Sequence, residues 1–95
     1  MTEFIPRAGD VIVLPVEHGL WDPRQLYQIL NVAGVEKLET GTTVGAVTYE
    51  SYLAEDRARE STPYCDDLTS LHRWGMRPAT EQEKAEGCAS PATNT

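Results

Sequence analysis

Leu26-Tyr27-Gln28-Ile29-Leu30-Asn31-Val32-Ala33 is the stretch on which the fold turns. Its aromatic and β-branched content favours a pleated, half-buried surface. A period of two puts Leu26, Gln28, Leu30 and Val32 on one face and Tyr27, Ile29, Asn31 and Ala33 on the other. Both faces are largely apolar, which fits the wall of a small β-barrel. Upstream, Asp10-Val11-Ile12-Val13-Leu14-Pro15-Val16 is a second β-branched run. Ala8-Gly9 opens it and Pro15, which lacks an N–H for the ladder, limits it. It reads as a strand near a sheet edge, either open to self-pairing or covered by a C-terminal helix, and the oligomeric state is left open.

Downstream, Gly34 permits a turn, Glu36 to Glu39 has room for a short strand, and Thr40-Gly41-Thr42 is a second turn. Val44 to Tyr49 alternates, with Val44, Ala46 and Thr48 opposing Gly45, Val47 and Tyr49. Residues 50 to 61 are charged and helix-favouring but offer only Tyr52 and Leu53 as large apolar side chains. With no stripe to bury, they read as a helical turn or a charged loop. Leu68 to Trp74 reads as a strand or a single helical turn capped by Asp66 or Asp67. Thr80-Glu81-Gln82-Glu83 matches a capping box and Gly87 is placed to stop the helix. The expectation is a mainly β domain over residues 1–87, a small barrel of four to five short strands with a short C-terminal helix. Residues 88–95, Cys-Ala-Ser-Pro-Ala-Thr-Asn-Thr, read as a flexible, disordered tail.

The 95 residues suffice for one domain. Hydrophobic residues at 40% and charged residues at 24% place the chain with folded proteins rather than disordered ones. The net charge is −7, with six acids against three bases in residues 1–48 and nine against five in residues 49–95. Neither half is basic, so the electrostatics disfavour direct binding to nucleic acid or an anionic membrane and favour basic partners. Met1 to Pro6 lacks the features of a secretory signal, and the longest apolar run, Val11 to Val16, is far too short to span a bilayer. Two cysteines, Cys65 and Cys88, fit reduced thiols and a cytoplasmic setting.

Chemistry-bearing motifs are scarce. His18, Cys65, His72, Cys88, Asp66 and Asp67 are the candidate metal ligands, but zinc ligands usually come in pairs about two to four residues apart. Six residues separate Cys65 from His72, so no metal is expected. A Cys65/His72 nucleophile would need a positive pocket, and Asp66 and Asp67 oppose that. Gly41 and Gly45 lack the companions of any nucleotide-binding motif. The reading is no enzyme, no catalytic residue and no cofactor. The aromatics carry more information. Trp74 and Tyr27 suit a core, whereas Trp21 with Leu20, Tyr49, Tyr52 and Tyr64 fall in or beside predicted loops and are the candidate binding residues.

Gly9-Asp10-Val11-Ile12-Val13, followed by an irregular loop and Leu26-Tyr27-x-Ile29-Leu30, resembles the first two strands of small SH3-like barrels. More narrowly, Tyr27-x-Ile29-Leu30-x-Val32-Ala33, Glu39-Thr40-Gly41, Val47-x-Tyr49 and Trp74-x-x-Arg77-Pro78 resemble landmarks of an uncharacterised SH3-like domain of bacteria and their phages. The likeness spans about residues 9 to 80, with residues 50 to 63 as a charged insertion. It implies a barrel fold and no catalysis, and it places the 17–25 loop where such barrels commonly engage ligands. The leading expectation is a non-enzymatic module that binds a protein partner through that loop and the 50–67 insertion, as an accessory or inhibitor of a host protein. The alternatives are an acidic decoy that mimics nucleic acid, and a nucleic-acid-binding barrel with Arg57, Arg59, Arg73 and Arg77 on one side.

Overall fold

The computed structural model describes residues 4–16, 23–60 and 62–89. Strands β1 (Val11–Val13), β2 (Leu26–Lys37), β3 (Thr43–Ser51), β4 (Tyr64–Asp67) and β5 (Arg77–Pro78) form one antiparallel sheet in the order β4-β3-β2-β1-β5. Helices α1 (Ala54–Arg57), α2 (Leu68–Arg73) and α3 (Glu81–Glu86) are short. The protein is mainly β, as its alternating runs predict. Successive strands lie side by side until β5 returns to flank β1. Among the described residues no ladder joins β4 to β5, so the sheet is open. Helix α2 packs on β3 and β4 and puts Leu68 and Leu71 into the core.

Strand β2 organises the sheet. Its first residues pair with β1 (Ile12 opposite Tyr27, Val13 opposite Leu26), and from Tyr27 to Lys37 it pairs with β3. β2 is longer than the nine-residue β3, and the excess is absorbed as register shifts between Ile29 and Asn31 and between Ala33 and Glu36. Each shift reverses which side chains face inward. Tyr27 and Ile29 point into the core, then Val32 does so opposite Val47, while Leu30 is displaced outward at the first shift and is 38% exposed. The strict alternation expected over Leu26–Ala33 is therefore broken at Leu30. Gly34 corrects a second expectation: with φ of +66° it sits in the second bulge, not a turn, and Glu36 continues the same strand. The turn lies further on, where Gly41 N–H donates to the Leu38 carbonyl at 2.9 Å and Leu38 N–H to the Thr42 carbonyl at 2.8 Å.

The sheet buries apolar residues on both faces. Ile12, Leu14, Tyr27, Ile29, Val47, Tyr49, Leu68, Leu71 and Met76 form the main core, with Phe4, Val32, Tyr64 and Trp74 packed at its margin. Val13, Leu26 and Ala89 form a second cluster on the opposite face, joined by Val11, Tyr52 and Ala79. Both faces of β1 and of the start of β2 are thereby covered, which explains their unbroken apolar content. β1 is not the sheet edge: Arg77–Pro78 pair with it, and Ala79 N–H donates to the Val11 carbonyl at 2.8 Å.

Local sequence sets the helices. Residues 50 and 51 end β3, and residues 52–60 hold one helical turn, α1, none of whose own residues is buried. Tyr64 to Asp67 is strand and Leu68–Arg73 is helix, with Asp67 at the N-cap position making no side-chain capping bond. The expected capping box is complete. Thr80 Oγ1 accepts from Glu83 N–H at 3.1 Å, Glu83 Oε1 accepts from Thr80 N–H at 2.9 Å, and Gly87 ends the helix at φ of +79°. The same carboxylate, fully buried, takes two 2.8 Å bonds from the Arg77 guanidinium. Past the helix, Ala89 is buried and its N–H donates to the Arg24 carbonyl at 2.7 Å. The domain thus extends at least two residues beyond the boundary expected at Gly87, because a small apolar residue at position 89 caps the second cluster. Residues 90–95 lie outside the described residues.

The Arg77–Glu83 pair joins β5 to α3 and so holds the strand that flanks β1. Removing Arg77 takes both guanidinium bonds from a fully buried carboxylate. Arg77→Ala is expected to lower stability by about 3 kcal/mol and Thr80→Ala by about 1 kcal/mol, measured by urea denaturation. Equal losses for the two variants would show that the ion pair is not the stronger tie.

Candidate functional site

Among the described residues, those singled out by sequence do not gather into one exposed surface. Leu20 and Trp21 lie outside the described residues. Tyr49 is fully buried in the main core and therefore is not a contact residue in the folded state. Tyr52 is half-buried on the second cluster, and Tyr64 is half-buried against Tyr27 and Tyr49. Tyr27, Tyr49 and Tyr64 form a packed trio with ring centroids 5.3 to 6.3 Å apart. Two of the contacts are edge-to-face, the geometry favoured by the ring quadrupoles. Tyr49 and Tyr64 looked peripheral in sequence because they flank the charged insertion; β3–β4 pairing opposes them and turns both inward.

The Tyr49 hydroxyl donates to Asp66 Oδ2 at 2.5 Å. Desolvation first, then the Asp66 bond and its charge, raise the Tyr49 pKa far beyond the ordinary tyrosine range. Desolvation, followed by the charges of Glu60 and Asp56, also raises Tyr64. These are the marks of a structural phenol held neutral rather than of a general base. Cys65 stands exposed opposite Thr48 on β4, whereas the His72 ring is bonded through Nε2 to the Phe4 carbonyl at 2.8 Å. Among the described residues no group of three or more His, Cys, Asp and Glu side chains is placed to hold a metal ion.

The four arginines of the nucleic-acid reading have separate duties. Arg57 donates to the Ser51 and Tyr52 carbonyls and pins α1 to the end of β3. Arg59 pairs with Asp56 at 3.3 Å, and Arg77 with Glu83. Arg73 is exposed at the end of α2.

A different element is displayed. Every residue from Ala33 to Thr42 is exposed, although most belong to paired strands and a closed turn. This ribbon, the far end of β2 with the start of β3, lies beyond the part of β3 that pairs with β4. It carries Val35 and Leu38, 47% and 41% exposed, with Leu30 at its base. Of the five large exposed hydrophobic residues described, these three fall within nine positions of one strand and its turn. Gly45 supports the display: a Cβ there would come within 3.3 Å of Val35 Cγ2 and 3.4 Å of the Ala33 carbonyl oxygen. Val35 therefore packs directly over Gly45, where an added Cβ would make a tight contact. Sequence reading missed this surface because Gly34 suited a turn and Glu36 to Glu39 a separate short strand, whereas the Gly34 bulge keeps Val35 and Leu38 on one continuous ribbon.

Burial of Tyr49 carries a pH dependence. Its folded-state pKa is raised, so its contribution to stability is intact below the unfolded tyrosine pKa near 10 and is lost as pH rises above it. Stability is expected to fall above pH ~10 by up to about 1.4 kcal/mol per pH unit for this group. Tyr49→Phe should flatten that slope in urea denaturation at pH 8 to 11. An unchanged slope would mean that Tyr49 ionises freely in the folded protein.

No family model, curated protein or solved structure matches this chain.

Proposed function

We propose that this chain is a non-enzymatic protein-binding module that acts on a host protein as an accessory or inhibitor, and that the β2–β3 ribbon is its principal contact surface. The observation that carries the reading is the ordered exposure of Leu30, Val35 and Leu38 on a ribbon with every residue from Ala33 to Thr42 open to solvent. Isolated exposed apolar residues are ordinary, but a cluster on one element is the usual mark of a contact surface. Glu36, Lys37 and Glu39 supply a polar rim around that cluster, as interface anatomy requires. The expected 17–25 loop, with Leu20 and Trp21, remains part of the proposal as a second contact. The strand order, in which β5 returns to β1, supports the SH3-like reading of the scaffold.

The acidic-decoy reading keeps one observation in its favour, the net charge of −7. The two readings separate by salt. An apolar contact survives high salt, whereas a charge-mimicking complex weakens steeply, because exposed charges are screened within about 8 Å at physiological ionic strength.

Capture from a bacterial lysate with nuclease present, at low and high salt, tests the proposal. Wild-type protein should retain a protein partner at both salt concentrations, and Val35→Ser with Leu38→Ser should weaken retention by at least about tenfold. These exposed positions should change folding stability by no more than about 0.5 kcal/mol. Retention unaffected by the double substitution would exclude the ribbon, and loss of the wild-type complex in salt would favour the decoy.

A further inference from the structure

Behind the ribbon, at the opposite end of β2, three separate segments enclose an open cavity of about 330 Å³ lined by Arg24, Gln25, Asp56, Arg59, Gly87 and Cys88. Each wall is fixed by a bond or contact elsewhere in the fold. The Gln25 side-chain amide donates to Ser51 Oγ. Helix α1, which supplies Asp56, is held from its other side by Arg57 on the Ser51 and Tyr52 carbonyls, and Glu60 Oε1 accepts from Ser51 N–H at 3.3 Å. The Gly87–Cys88 wall is held by Ala89 N–H on the Arg24 carbonyl, with Leu53 so close to Gly87 that a Cβ there would lie 3.3 Å from its Cδ2. The charged insertion, read from sequence as a helical turn or a charged loop, thus supplies one side of the pocket.

The lining has two guanidiniums and one carboxylate, a local charge of +1 on a chain whose net charge is −7. Arg59 uses one nitrogen on Asp56 at 3.3 Å and its side chain is 76% exposed, so further N–H donors of its planar fork face solvent at the cavity. Arg24 contributes its charge whatever else it touches. Guanidinium forks match the paired oxygens of carboxylates and phosphates. The volume lies at the small end of ligand-sized clefts and exceeds what a bare inorganic anion fills. Asp56 and the Gln25 amide supply acceptors that suit hydroxyl groups.

We propose that this cavity binds a small hydroxylated organic anion, with Arg59 and Arg24 facing its carboxylate or phosphate and Asp56 and Gln25 its hydroxyls. The site is independent of the ribbon and of the partner it engages.

Two measurements test the site with the full chain. Glucose 6-phosphate, malate and, as a neutral control, glucose are titrated while backbone amide NMR shifts are followed. One or both anions should move amides of residues 24–25, 56–60 and 87–88, and glucose should not; whichever anion binds more tightly distinguishes phosphate from carboxylate. Arg59→Gln should weaken binding by about tenfold or more, and Arg73→Gln, away from the cavity, should leave it unchanged. In the unmutated protein, saturating anion should slow alkylation of Cys88 by iodoacetamide several-fold and leave the exposed Cys65 unaffected. No localised shifts at 50 mM of either anion, equal binding of glucose, or full affinity in Arg59→Gln would each overturn the proposal.

Discussion

One strand does two jobs, and the rest of the molecule depends on how it does so. The first residues of β2 lie between β1 and β3 and are buried on both faces. Its later residues pair only with β3 and are exposed. A regular twelve-residue strand would carry one alternation from end to end and would face the core with the wrong side chains past Ile29. The register shifts at Leu30 and Gly34 resolve this conflict. The first keeps Val32 opposite Val47 within reach of the core, and the second, at a residue able to take φ of +66°, releases the strand into a free ribbon.

The β5 edge of the sheet relies on polar contacts. β5 has two residues, one of them proline, so its ladder with β1 is minimal. What holds it is the joining of Arg77 to the buried Glu83, a residue that also closes the capping box of α3. One carboxylate therefore ties strand, helix start and sheet edge together. Ala89 then packs on Val13 and Leu26, so that the chain beyond α3 forms part of the second cluster. A domain this small buries limited apolar area, so the Arg77–Glu83–Thr80 bonds add to a shallow core.

Much of this was legible in the residues. The β-branched runs predicted β1 and β2, the alternation of Val44 to Tyr49 predicted β3, and Thr80-x-x-Glu83 with Gly87 predicted α3 to the residue. Tyr27 was readable as core. What sequence could not show was register. A glycine after Ala33 suits a turn as well as a bulge, and Gly34 proves to be the latter, which continues β2 through Val35 to Lys37. The tyrosines beside the charged insertion were misplaced for a related reason: exposure of Tyr49 was inferred from neighbours in the chain, while its burial follows from pairing with Tyr64 across β4. Ala89 was read from tail composition, which carries no signal of what a single small apolar side chain can cover.

The functional account turns on the ribbon being an ordered contact surface rather than an incidental protrusion. Amide hydrogen exchange of the free protein and of its captured complex addresses this directly. The account predicts measurable protection of the paired amides of β2 and β3 in the free protein, deepened on binding across residues 30–42. Exchange over those residues that is unchanged by the partner, with new protection confined to other parts of the sheet, would contradict it.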